Sequence, residues 1–414
     1  MPKIAMIGAG SVVFARRLLV DLLSWPALQG AEIALMDVDA HRLELIGALA
    51  DRLVAQEHLP ARVWTTTDRR AALDGADYVV CSIQVGGLEM YAHDVEIPRT
   101  YGIDQTVGDT LGPGGVFRGL RTIPVFQSIA RDMEALCPHA LFINYSNPMN
   151  INMWAWLQST KVRSIGLCHS VQGTAERLAR FMGVPFEEMS FWCAGINHQA
   201  WYLDLRRGHG GARGTDLYPL LREKMDDPET FAEDRVRFEV MRHFGYFVTE
   251  SSRHMAEYVP WFRRTAADRE RYTPELAAPG TVAPAMPVAT PAGSLASVPA
   301  YRAPLWETIR QQAAGEAPID YVRSREYCSA IIRAVESGVP FRFNGNVPNT
   351  GLIPNLPDGG NVEVPIFVDN AGLHPVHVGD LPAQLAGINR TNVNVQELAV
   401  QGFLHRDREA IFQA

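Results

Sequence analysis

The chain opens on a short apolar run, Lys3 to Ile7, which turns through Gly8 and Gly10 into a segment carrying Phe14, Leu18, Leu19 and Leu22 at helical spacing. A second apolar run, "AEIALMDVD", ends in Asp37 and Asp39, so the opening reads as a βαβ unit. Further strands are expected at Ala76–Gln84, Ala140–Pro148 and Val162–Ser170, separated by helical patterns such as Ile123 to Leu136. Strands alternating with helices predict an α/β fold of the Rossmann type, a doubly wound, mostly parallel sheet like that of lactate and malate dehydrogenases.

Past about residue 190 the pattern changes to longer irregular segments with aromatic clusters, "HFGYFVTESSRHMAEYVPWF" among them. Two domains are expected: a dinucleotide-binding domain over residues 1–190, and a C-terminal α+β domain over 191–414 for substrate binding and oligomerisation. Within the second, Thr273 to Pro304 holds seven prolines in 32 residues with almost no charge, and reads as a mobile loop or lid.

Glycine at positions 8 and 10 lets the backbone turn tightly and approach a pyrophosphate, and the helix beyond them offers its amides to the same anion. Ser11 lies at that turn, Asp37 is placed to hold a ribose diol, and Gln84 ends a later strand. These five are the candidate dinucleotide residues, and an acid at the ribose position favours NAD over NADP. Position 13 is Val13 where a third glycine is usual, so the motif alone also fits a nucleotide-free turn.

Composition narrows the partners. The 414 residues carry a net charge of −8, which gives no basic surplus for nucleic acid or anionic membrane. No run of about twenty apolar residues occurs and the N-terminus lacks a signal-peptide pattern, so a cytoplasmic protein acting on a small molecule is expected. Five cysteines, scattered and odd in number, suit reduced thiols better than a disulfide framework.

Two of the strand ends carry unusual chemistry. "GLCHSVQGT" puts Cys168 and His169 at the mouth of the expected crevice, with Asn147 ending a neighbouring strand, and "AGINHQAW" closes another short strand at His198. A strand-end cysteine is a buried hydrophobe, a nucleophile or a metal ligand. One thiolate and one imidazole are too few for a closed structural zinc site, so a metal held by Cys168 and His198 would keep positions open for water or substrate. Such a mixed pair accepts Mn²⁺ or another first-row ion.

In order along the chain, "IGAGS", "DTLGPGG", "LRTIP", "NYSNPMNINMWA", "GLCHSVQGT", "AGINH", "GYFVTES", "AEYVPWF", "SREY", "NGNVPNTGLIPNLP" and "TNVNVQEL" resemble the NAD- and manganese-dependent family 4 glycoside hydrolases, in particular their α-galactosidase branch. The resemblance implies hydrolysis through hydride removal at sugar C3, proton removal at C2 and elimination at C1, with NAD and Mn²⁺ as cofactors. It implies metal ligation by Cys168 and His198 and Tyr258 as the base. His169 is the first choice for the acid, with His254 and Glu257 as rivals. Asn147, Gly114 and His254 are the implied sugar contacts.

Histidine after the cysteine goes with α-galactosidases, but uronide-cleaving relatives share it. An α-galacturonidase or α-glucuronidase therefore stays open, with Arg99, Arg118 or Arg121 to meet a carboxylate. An ordinary hydroxy-acid dehydrogenase and a non-catalytic nucleotide sensor are the readings from other classes. Relatives assemble as dimers or tetramers, so a homo-oligomer is expected.

Overall fold

The structure, a computed structural model, describes residues 1–11, 14–208, 213–274 and 297–414. Among these the strands are β1 (Lys3–Ile7), β2 (Glu32–Met36), β3 (Arg62–Thr66), β4 (Tyr78–Cys81), β5 (Leu141–Asn144), β6 (Ser164–Gly166), β7 (Met189–Ile196), β8 (Gln199–Arg207), β9 (Thr215–Asp216), β10 (Phe341–Pro348), β11 (Asn361–Asp369) and β12 (Gly372–Pro375). They form one sheet in the order β3-β2-β1-β4-β5-β6-β10-β11-β7-β8-β9, with β12 on β11. The first six run parallel in the doubly wound order. From β10 onward the pairing is antiparallel, and β10 joins the parallel half by the pair Asn346 with Gly166.

The parallel strands are apolar on both faces because helices cover both. Along β1, Ile4 and Met6 face one core with Leu18, Leu22, Ile46 and Leu53 from the helices Ala15–Leu23 and Ala40–Gln56. Ala5 and Ile7 face a second core with Phe126, Met133 and Trp156 from the helices Gly112–Leu136 and Met149–Ser159. Trp156 stacks on Phe142 at 3.8 Å and 5°, and truncating such a fully buried ring costs about 3–5 kcal/mol.

Two expectations change. The glycine-rich stretch "GDTLGPGG", Gly108 to Gly115, reads from its glycines as a loop but becomes helical from Gly112, because Pro113 in the first turn is pre-set for a helix start. The stretch Thr273 to Pro304 lies largely outside the described residues, and its last part, from Ser297, begins the helix Ser297–Ala314 rather than a loop. Position 13 is also outside the described residues. No described helix is long and apolar enough to cross a membrane.

Candidate active site

In a parallel sheet the loops leaving the carboxyl ends of the strands converge on one crevice. After β1, Gly8 adopts a φ of 87° and an added Cβ would stand 2.5 Å from the Ser82 carbonyl oxygen, so only glycine lets β1 and β4 close here. The Gly10 amide donates to Asp37 Oδ2 at 2.7 Å, and Asp37 Oδ1 accepts from the Asp39 amide at 2.9 Å. The acid at the end of β2 is thereby fixed against the glycine turn. Ser11 Oγ accepts from the Phe14 amide at 3.3 Å, and Gln84 Nε2 donates to the Gly87 carbonyl at 2.9 Å. All five expected dinucleotide residues lie at the mouth of the parallel strands.

Two residues past β6, Cys168 meets His198, which occupies the turn between β7 and β8 at a φ of 64°. Cys168, His198 and Glu250 present donor atoms within 4.8 Å of one another, as do Asp109, His198 and His254. Desolvation pushes the Cys168 thiol up to about 12, so a cation at the sulfur is what would hold it as thiolate. A soft sulfur, an imidazole and neighbouring carboxylate oxygens suit a first-row divalent ion.

The other expected groups surround this pair. His198 Nδ1 lies 3.0 Å from Thr110 Oγ1 and 3.2 Å from the Tyr258 hydroxyl. Burial, reinforced by Asp109, raises the Tyr258 phenol well above its usual range. Asn147 Nδ2 donates to Asp109 Oδ2 at 3.0 Å, placing that amide at the same cluster. His254 lies between Asp109 Oδ1 at 3.8 Å and Glu250 Oε1 at 3.3 Å, and burial lowers its pKa despite both acids. Burial works against the Glu250 carboxylate, but His254 and His198 outweigh it and hold the group ionised.

His169 faces outward at the start of the helix Ser170–Met182, its Nδ1 3.5 Å from Glu326 Oε1. Glu326 holds the imidazole protonated up to about 9.

Two expected residues stand apart. Gly114 is buried, its amide donates to Gln105 Oε1 at 3.0 Å, and an added Cβ would meet the Asp94 and Gly108 carbonyl oxygens at 2.6 and 2.8 Å. Its smallness serves helix packing, and its amide is not available to a sugar. Glu257, the rival acid, accepts from the amides of Thr106, Val107 and Gly108 and from the Thr106 hydroxyl, so it anchors the loop that carries Asp109. The arginines divide as well. Arg121 is bidentate on Asp94, and Arg118 lies over Tyr91 and donates to the Asn147 carbonyl. Arg99 Nε and Nη2 are buried with no hydrogen-bond partner among the described residues.

Asp109, Thr110, Glu250 and Glu326 are not singled out by the sequence patterns, although all four fall within "GDTLGPGG", "GYFVTES" and "SREY". The acid of "GDT" beside glycines is the only usable signal.

Residues 3–184 match the family 4 glycosyl hydrolases, and residues 193–414 match the family 4 glycosyl hydrolase C-terminal domain. An α-galactosidase of Bacillus subtilis is 41% identical over 416 residues, covering 100% of this chain and 92% of that protein. One from Rhizobium meliloti is 38% identical over 409 residues, covering 98% and 81%. A 6-phospho-α-glucosidase from gut microorganisms, solved with NAD and Mn²⁺, superposes with a TM-score of 0.79 at 21% identity, over 99% of this chain and 92% of that one. The two profile matches together with these full-length identities establish that the chain belongs to the family 4 glycosyl hydrolases.

Proposed function

We propose that this enzyme is an α-galactosidase that uses NAD and Mn²⁺, and that it cleaves its glycoside by elimination rather than by direct displacement. The observation that carries the reading is the meeting of Cys168 and His198 with the Tyr258 hydroxyl at the open end of a dinucleotide-binding sheet. When bound, NAD⁺ supplies reversible hydride removal at sugar C3, while Mn²⁺ draws charge onto the sugar oxygens at C2 and C3 and brings the nearby phenol into acid–base range.

The chain's own groups do the rest. Gly8, Gly10, Ser11, Asp37 and Gln84 hold the dinucleotide, and Cys168 and His198 hold the ion. Asn147, anchored by one Nδ2 hydrogen on Asp109, offers its amide oxygen and its second N–H to sugar hydroxyls. Tyr258 takes the C2 proton, made acidic by the neighbouring ketone. His169 gives a proton to the departing C1 oxygen and, in the reverse sense, takes one from the water that adds at C1. Tyr258 then returns its proton to C2, and because the hydride removal is reversible the sugar leaves with no net oxidation. His254 orders the acids around the ion.

The identities of 41% and 38% to α-galactosidases support a galactoside over a uronide, and Arg121, engaged by Asp94, is not free for a uronate. The division near residue 190 and a homo-oligomer belong to the same reading, as does a cytoplasmic location, which five free cysteines suit.

Hydrolysis of p-nitrophenyl-α-galactoside tests it, with NAD⁺ and Mn²⁺ present and each withheld in turn. The expected result is turnover that needs both, produces no net NADH, and slows when C2 or C3 carries deuterium. Undiminished turnover after both are removed would refute it.

A further inference from the structure

Cys168 and His198 give a divalent ion one sulfur and one nitrogen, and the groups around them include one carboxylate aimed at the same point. Glu250 is held from one side: Oε1 lies 3.3 Å from His254 Nδ1, which leaves Oε2 directed at His198 Nε2 at 4.0 Å. The Cys168 sulfur, the His198 nitrogen and a Glu250 oxygen all lie within 4.8 Å of one another. Donors about 2.0–2.3 Å from a common ion stand roughly 3–4.4 Å apart, depending on the angle between them. A triangle of this size closes around one ion with a small inward movement.

The backbone is built to aim that carboxylate. Glu250 has a φ of 74°, in the left-handed region that a glutamate rarely enters, and His198 is left-handed as well. Such conformations persist where the surroundings over-determine them, and here they do. Thr174 Oγ1 donates to the Glu250 carbonyl at 3.4 Å, and Arg237 Nη1 in turn donates to Thr174 Oγ1 at 2.9 Å and to the Val248 carbonyl at 3.3 Å. The segment that carries Glu250 is thus tied to the helix that starts just after Cys168.

We propose that Glu250 is a third protein ligand of the divalent ion, acting through Oε2, rather than a contact to the sugar. The inference rests on the reading that Cys168 and His198 bind a divalent ion. One sulfur, one nitrogen and one oxygen from the protein would leave the ion further positions for sugar oxygens and water. The carboxylate also supplies the hard donor that Mn²⁺ favours and that a thiolate and an imidazole lack.

The test is titration of the NAD-loaded protein with Mn²⁺ in the absence of sugar, following free Mn²⁺ by its electron paramagnetic resonance signal. Wild type, Glu250→Gln and Cys168→Ser are compared, with NAD affinity as the check on folding. Loss of a group that merely supports a ligand weakens metal binding about 10–100-fold, so Glu250→Gln should weaken it by about 100-fold or more. Wild-type Mn²⁺ affinity in Glu250→Gln, with a raised KM for galactoside, would make Glu250 a sugar contact and overturn the inference alone. Failure of the wild type to bind Mn²⁺ would overturn the underlying reading as well. If Glu250→Gln loses NAD binding, Glu250→Asp decides: its carboxylate is one methylene short, weaker Mn²⁺ binding is expected, and unchanged binding overturns the inference.

Discussion

Replacing Arg237 by methionine tests how far the site depends on an ion pair that touches no ligand. Arg237 and Asp234 are both fully buried, and the guanidinium grips both oxygens of the carboxylate. It also donates to Thr174 Oγ1 and to the Val248 carbonyl, and lies 4.8 Å from the Phe247 ring centroid. Methionine keeps much of the packing on that ring but strands the acid. Breaking a buried pair from one side costs about 3–5 kcal/mol, and two further hydrogen bonds add about 1 kcal/mol each. Asp234 keeps the Ser252 hydroxyl at 2.6 Å and the half-exposed Arg177 at 3.3 Å, which offsets part of this, so a loss of about 4 kcal/mol is expected.

The sign of the pH dependence is set by Asp234. Burial works against its charge, but Arg237 outweighs this and lowers its pKa below 3.8. Its contribution is therefore present above the unfolded value and lost as pH falls through the folded one. The gap between wild type and Arg237→Met should be widest near neutral pH and narrow in acid. Urea unfolding of both proteins, and of Asp234→Asn/Arg237→Met, measures it. The double variant should recover about 2 kcal/mol, because no buried charge is left unpaired. A loss below about 1 kcal/mol in the single variant, or a double variant no better than the single, would refute the reasoning.

Cys168→Ser should keep the fold and NAD affinity but weaken Mn²⁺ binding by about 100-fold or more, read by metal analysis after dialysis. Glu326→Gln should lower the His169 pKa from about 9, so the alkaline limb of the kcat/KM profile moves to lower pH; an unmoved limb would remove His169 as the acid. The contribution of this raised histidine to stability is present below 6.5 and lost as pH rises through about 9, so Glu326→Gln should flatten stability over that window. Gly8→Ala meets both a φ of 87° and the Ser82 carbonyl at 2.5 Å, so calorimetry should show NAD binding lost and the melting temperature lowered.

How legible each element is in the sequence depends on how it is buried. β1 can be read to the residue because its side chains are buried on both faces, which leaves an unbroken apolar run. β3, at the sheet edge with its residues half-exposed or exposed, has no such run and leaves no strand signal. Cys168 and His198 stand out because strand ends point into the crevice. Glu250 does not, because it reaches the site through a left-handed backbone and a tie to another helix, and neither leaves a periodic trace. Gly114 misleads for the opposite reason: a glycine near a site resembles a ligand cradle until the carbonyls around it are seen.

The continuity of the sheet limits how this enzyme can be taken apart. β6 gives its outer edge to β10, a strand drawn from far along the chain, while among the described strands β7 joins the sheet through β11. A fragment ending after β6 would expose that edge as a template for aggregation, and a fragment starting at β7 would have no parallel sheet to lean on. Shuffling the parallel half of one such glycosidase onto the antiparallel half of another therefore means matching two strands in the middle of a sheet, so productive chimaeras should come from exchanging loops and helices around an intact sheet.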